Sequence, residues 1–177
     1  RIAVPALSAD DVATLANDIA EEPGDRISAE EAAVLAERTG GNPFFVTELL
    51  QAGSIAARLP QSVRHAVWAR LQRLSSAERE VLEMMSLVPG STEAWLLHEL
   101  KGNDAKVLAE KCCEAGMLLK DGQGSYRFRH ELARLATLES VPESARRSGH
   151  RQILAVLARR EAVELARLVH HAAAGED

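Results

Sequence analysis

Apolar residues recur at three- and four-residue intervals over most of the chain, the period of amphipathic helices. Residues 1–6, with Ile2, Ala3 and Val4 stopped by Pro5, read instead as a short strand. Ser8 then opens a helix, with Asp11 three positions on in capping-box spacing and Val12, Leu15, Ala16 and Ile19 as its apolar stripe. Glu21-Glu22-Pro23-Gly24 ends that helix, and Ser28 with Glu31 opens a second through Ala32, Leu35 and Ala36, closing at Gly40-Gly41. Asn42 is placed to cap a third, with Pro43 in the first turn where its missing N–H costs nothing. Phe45, Leu49 and Leu50 line that helix, which ends near Gly53.

The pattern resumes after Leu59-Pro60. Val63, Val67, Leu71 and Leu74 share a helix face, and Ser75 with Glu78 caps the next helix, which carries Val81, Leu82, Met84 and Met85 until Pro89-Gly90. Trp95, Leu96, Leu97 and Leu100 mark a short helix stopped by Gly102. Asn103 is expected to cap another, with Val107, Leu108 and Cys112 inside and Gly116 at its end. The period then shortens. Residues 117–120 and 125–128 are strand-like runs around Asp121-Gly122-Gln123-Gly124, a hairpin turn. Three helices followed by a two-stranded wing is the layout of a winged helix, here about residues 75–130. Helical segments follow at 130–140, 143–160 and 161–174, and the spacing of Ala155, Ala158, Ala162 and Ala166 suggests closely paired helices, as at the start of a repeat array. The fold class is therefore all-α, mainly helical, with one small β-hairpin wing. It divides into a helical segment (1–58), a winged helix (59–140) and the start of helical repeats (141–177).

Composition narrows the functions. The chain has 177 residues, 46% hydrophobic and 27% charged, with a net charge of −5 and a pI near 5.7. DNA-binding domains usually carry a basic footprint, and 3% aromatics leave few rings for base stacking. No apolar run approaches the roughly 20 residues of a membrane span, and no signal peptide opens the chain. Cys112 and Cys113 are adjacent and read as two thiols on a helix in a reducing compartment, so the cytoplasm is expected. The start at Arg1 without Met, and the stop just after a helical pattern, read as the cut ends of a piece of a longer polypeptide.

No set of residues suggests turnover. There is no G-x-x-x-x-G-K-[ST] phosphate loop, no G-x-G-x-x-G after a strand, no G-x-S-x-G elbow and no zinc-spaced Cys/His set. The tandem His170-His171 projects two rings about 100° apart on a helix, poor geometry for one metal, and His65, His98 and His150 read as isolated helix histidines. No catalytic or metal residue is expected. Two stretches stand apart. In 39–46, glycines precede a capped, proline-opened helix, which would put free N–H groups at a positive helix end; a tight interhelical turn is the plainer reading. In 126–132, Tyr126 and Phe128 fall on one strand face and Arg127 and Arg129 on the other, with His130 where strand becomes helix. The candidate recognition helix, 103–116, carries Asp104, Lys106, Glu110, Lys111 and Glu114, a slightly acidic set that would repel phosphates. A winged helix built for protein or intramolecular contact fits better, with a DNA-binding winged-helix module as the alternative.

Three runs together resemble a known family: Thr-Gly-Gly-Asn-Pro-Phe-Phe-Val-Thr-Glu-Leu-Leu (39–50), Leu-Pro-x-Ser-Val-Arg-x-Ala-Val-x-Ala-Arg-Leu-x-Arg-Leu-Ser (59–75) and Tyr-Arg-Phe-Arg-His-Glu-Leu-Ala-Arg (126–134). They look like the large LuxR-type ATP-binding transcriptional regulators of the STAND class, signal-transducing relatives of the AAA+ ATPases. The ending (166–177) resembles the beginning of their tetratricopeptide-like sensor. The resemblance implies that 1–58 is the helical lid of such an ATPase. It implies partners within the same polypeptide, a P-loop domain that binds ATP or ADP and a helical-repeat sensor, while a separate helix-turn-helix binds the promoter. Gly41-Asn42-Pro43 is similar to the G-x-P motif of the class, whose proline packs near the adenine. Arg129-His130-Glu131-Leu132 is similar to the Met-His-Asp motif, whose histidine contacts the β-phosphate of ADP; here Arg stands for Met and Glu for Asp. By resemblance, then, Gly41, Asn42, Pro43, Arg129 and His130 are the nucleotide-facing residues, and this piece is not itself an enzyme.

Overall fold

The computed structural model describes residues 5–20, 26–51, 59–160 and 163–176. Residues 1–4 of the strand expected at 1–6, the break at 21–24, the helix end near Gly53 and Ala162 lie outside them, and the described Pro5 and Ala6 are in no strand. The described residues form, in chain order, α1 (Ala9–Ile19), α2 (Ala29–Thr39), α3 (Pro43–Gln51), α4 (Gln61–Leu71), α5 (Ser76–Ser86), β1 (Ser91–Thr92), α6 (Ala94–Lys101), α7 (Ala105–Glu114), β2 (Leu118–Lys120), β3 (Tyr126–Phe128), α8 (Glu131–Ser140), α9 (Glu143–Leu157) and α10 (Leu165–Gly175). The fold is mainly helical with one small antiparallel sheet. Its backbone gathers into two compact units, residues 1–68 with 130–136 and residues 69–129 with 137–177. These are not the three consecutive segments drawn from the sequence. The first turns of α8 gather with the amino-terminal helices, and α9 and α10 share an apolar core with α5 and α6.

In the first unit, α1 and α2 each begin with a complete capping box. Ser8 Oγ accepts from the Asp11 N–H while the Asp11 carboxylate accepts from the Ser8 N–H, and Ser28 with Glu31 does the same. These reciprocal bonds satisfy N–H groups that a helix leaves without partners at its start. Helix α1 packs against both α2 and α3, and Val12, Ala16, Ala32, Leu35, Phe45, Val46 and Leu49 are buried. Ser62 on α4 donates its hydroxyl to Glu48 on α3. Helix α2 stops at Gly40, whose φ of 60° lies in the left-handed region that ends helices.

The second unit is built on α5, which opens with a third capping box, Ser75 and Glu78. Three strands follow in the order β1-β3-β2, all antiparallel, with Leu118 opposite Phe128 and Lys120 opposite Tyr126. The hairpin appears where the change of period places it, its turn held by Asp121 Oδ1 accepting from the N–H groups of Gln123 and Ser125 at 2.9 and 2.8 Å. Tyr126 and Phe128 are buried and Arg127 is exposed, as strand alternation requires. The third strand, β1, is two residues long, too short for any alternation to be read.

Two local expectations are corrected. Helix α7 starts one residue later than expected: Asp104 holds the cap position without a side-chain bond, and Gly102, at φ 80°, turns the chain. The α9–α10 pair does form, but not through the alanines. Ala155, Ala158 and Ala166 are exposed, whereas Gly149, His150, Ile153 and Leu157 of α9 and His171 and Gly175 of α10 are buried. Glycine permits the close approach. A Cβ on Gly175 would lie 3.1 Å from the Arg151 Cγ, and one on Gly149 would lie 2.3 Å from the Leu87 Cδ1. Leu87, Val88, Leu96, Ile153 and Leu157 form the core beneath. A forked ion pair, Arg167 to Glu93 at 2.5 and 3.0 Å, ties α10 to the start of α6.

Candidate functional site

The turn from α2 to α3 is a closed structure. The Gly41 N–H bonds the Ala36 carbonyl at 3.0 Å, the Asn42 N–H bonds the Thr39 carbonyl at 3.3 Å, and the Gly40 N–H bonds the Ala36 and Glu37 carbonyls. Asn42 Oδ1 accepts from the Phe44 N–H at 3.1 Å, the capping role its position suggests. Pro43 has no N–H. The N–H groups of Gly40, Gly41, Asn42 and Phe44 are therefore engaged within the chain, as in the tight interhelical turn of the plainer reading. Gly41 itself is fixed by packing: its φ is 64°, a Cβ would stand 2.3 Å from the Leu7 carbonyl oxygen, and its own carbonyl accepts from the Leu7 N–H at 2.9 Å. What the corner does present is apolar, the exposed Pro43 followed by Phe44 at 44% exposure.

From there the site is aromatic. Phe45 is buried, 5.5 Å centroid to centroid from Phe44, and its other neighbour is His130, whose ring meets it edge-to-face at 5.3 Å and 79°. His130 is half-buried just before α8, where its carbonyl accepts from the Ala133 and Arg134 N–H groups at 3.0 and 3.3 Å. Two stretches 85 positions apart are thereby joined inside one unit through Phe45, two residues after Pro43. Behind His130, Glu131 holds Arg134 through three contacts of 2.6–3.0 Å, and Arg134 is only 8% exposed. Neither Phe45 nor Arg134 stood out in the sequence, because a ring on an apolar stripe and an i, i+3 ion pair are ordinary helix features.

Arg129 directly precedes His130 in the chain. It belongs to the second unit, where its N–H bonds the Met117 carbonyl at 3.0 Å and its Nε donates to the Gly116 carbonyl at 3.2 Å. In the same unit Lys120 pairs with Glu110 at 3.0 Å and lies 5.6 Å from the centre of the Tyr126 ring. At the start of α7 and along it the exposed residues Asp104, Lys106, Lys111 and Glu114 are two acids and two bases.

The α9–α10 seam holds a second cluster. His171 is directed into the pair and His170 outward, as the tandem's helical geometry predicts, but His150 of α9 sits in the angle between them. His150 Nδ1 and His171 Nδ1 are 2.8 Å apart. Burial, with the neighbouring histidines and Arg167 adding repulsion, pushes the His171 pKa down to about 4; burial first and His170 second push His150 down as well. Both rings are thus neutral at neutral pH.

A likeness of fold places this architecture. No family model matches the chain, and no curated protein matches it. Among solved structures it is similar to a Signal Transduction ATPase with Numerous Domains (STAND) protein with a tetratricopeptide repeat sensor from Pyrococcus horikoshii, at 18% identity and a TM-score of 0.54, over 97% of this chain and 25% of that one. The chain therefore has a STAND-like fold and spans about a quarter of the length of that protein.

Proposed function

We propose that this chain is the regulatory lid and winged-helix portion of a STAND-class transcriptional regulator of the LuxR type, followed by the start of its helical-repeat sensor. It closes over ATP or ADP held by a P-loop domain of the same polypeptide and relays which nucleotide is present. The chain performs no turnover; hydrolysis belongs to the P-loop domain. The observation that carries the reading is the Phe45–His130 contact, because it joins the Gly41-Asn42-Pro43 corner and His130-Glu131-Leu132 in one unit. The likeness of fold to a STAND protein supports the same assignment.

The chemistry divides between the two sides. The corner, with its N–H groups engaged, supplies apolar surface in Pro43 and Phe44, suited to the face of a purine. His130 supplies the polar contact, an imidazole donating to a phosphate oxygen. Phe45 holds that ring edge-on, and α8 places it near a helix start, where negative charge is favoured. Arg129, the residue before His130, is the second cation of this reading; its Nε donates to the Gly116 carbonyl, and the rest of its guanidinium is assigned to phosphate. A ligand that touches both sides closes the lid; losing the phosphate contact releases it, a two-state element biased by nucleotide.

The test is ADP release from the full-length protein. His130→Ala removes one hydrogen bond to a charged group, worth about 1.5–3 kcal/mol, so ADP leaves at least about tenfold faster and basal transcriptional activity rises. An unchanged ADP off-rate would reject the role of His130.

A further inference from the structure

We propose that His150, His170 and His171 form a binding site for a zinc-class divalent cation that clamps α9 to α10. One nitrogen from each ring can be chosen so that all three lie within 4.8 Å of one another. The ring centroids form a compact triangle of 4.9, 5.0 and 5.5 Å. A tetrahedral zinc ion with Zn–N bonds of about 2.1 Å needs ligand nitrogens about 3.4 Å apart, so the three donors stand within side-chain adjustment of that geometry. Imidazole is the favoured nitrogen ligand for zinc and its neighbours in the first transition row.

The arrangement overcomes the obstacle that a tandem presents. His170 and His171 diverge on α10, but His150 comes from the facing helix and lies near both. The inner pair already points two Nδ1 atoms at one locus, where they share a hydrogen bond at 2.8 Å. For an ion to bind there, the donor ring shifts its proton from Nδ1 to Nε2, both Nδ1 lone pairs turn to the metal, and the rings stay neutral. His171 and His150 are buried and His170 is exposed, so the ion would sit at the rim of the seam with its fourth position open to water. The nearby cation, Arg167, is matched by its forked pair with Glu93. The seam is close-packed at Gly175, whose missing side chain lets α10 lie against His150 and Arg151. An ion bridging the two helices therefore stabilises the packed pair in proportion to its occupancy.

The experiment uses the 177-residue chain made without a polyhistidine tag and titrated with cobalt(II) chloride, with zinc chloride as competitor. One equivalent of cobalt should bind with the strong visible absorption of a four-coordinate ion and without a sulfur-to-cobalt band, and zinc should displace it and raise the melting temperature. His170 is exposed, so His170→Ala leaves the packing intact while removing a ligand. It should weaken cobalt binding by at least about tenfold, the lower end of what even an outer-shell change costs, and abolish the zinc-induced rise in melting temperature. His171→Gln tests the inner position, and the His170 result stands by itself should that variant unfold. The proposal is overturned if saturating cobalt gives no four-coordinate absorption, if His170→Ala binds as the wild type does, or if a sulfur band moves the ion to Cys112 and Cys113.

Discussion

Cys112 and Cys113 are neighbours in sequence and opposites in environment. Cys112 is fully buried, its S–H donates to the Glu78 carbonyl at 3.7 Å, and burial, with Glu78 adding repulsion, pushes its pKa up to about 12. Cys113 is half-buried; burial raises its pKa too, but Lys120 draws it back. Only a thiolate attacks a disulfide reagent, so Cys113 should react with an aromatic disulfide at mildly alkaline pH while Cys112 stays protected until the chain unfolds. Equal labelling of the two, read by peptide mass spectrometry, would contradict this burial. Pro43 makes a second residue-scale case. As the first residue of α3 it has no lost hydrogen bond to compensate, so Pro43→Ala should leave the helix folded. If its ring packs on a purine, trimming it removes buried apolar area and weakens nucleotide binding in the full-length protein by about tenfold. Wild-type affinity in a titration with fluorescent ADP would remove the packing role.

At the scale of elements, three helices start alike, with Ser8–Asp11, Ser28–Glu31 and Ser75–Glu78 each satisfying two terminal N–H groups. The third opens α5, which contributes Val81, Leu82 and Met85 to the buried residues of the second unit and packs against α7 and α6. Ser75→Ala should therefore cost about 1 kcal/mol and lower the thermal midpoint by about 2–4 °C for a chain of this size. A calorimetric midpoint equal to wild type would show that α5 is held by packing alone. The sheet illustrates the reverse dependence. Its hairpin is local, fixed by Asp121 and the glycines of its turn, whereas β1 joins only because Ser91 and Thr92 lie opposite Arg127 and Tyr126.

For the whole molecule, the competing assignments part on charge. A winged helix that reads DNA needs cations free to meet phosphates. Here Lys120 is paired with Glu110, Arg129 Nε is bonded to Gly116, and the exposed side of α7 is mixed in sign. The chain should therefore give no salt-sensitive shift of a random DNA duplex in a gel at physiological ionic strength. Tight binding that falls steeply with added salt would overturn the lid assignment in favour of a DNA-binding module.

The sequence by itself determined what is local. Helix starts with their Ser-x-x-acid boxes, the stop at Gly40, the hairpin about Asp121 and the burial of Tyr126 and Phe128 all follow from backbone hydrogen bonding and period, which act within a few residues. It was unreliable where a partner distant in the chain decides the outcome. The alanines of α9 and α10 have the right size for a helix seam yet face outward, because Leu87 and Leu96 claim the other side of α9. The glycine turn before Pro43 is the tight interhelical turn of its plainer reading, but which carbonyls of α2 take the Gly40, Gly41 and Asn42 N–H groups is seen only in the fold. His170 and His171 diverge on their helix until folding sets His150 beside both, and Phe45 meets His130 only because residues 130–136 return to its unit. Hydrogen-bond partners within a turn are chosen by the neighbouring residues, while the neighbours of a side chain are chosen by the packing of the whole core, and that packing is a property of the tertiary structure.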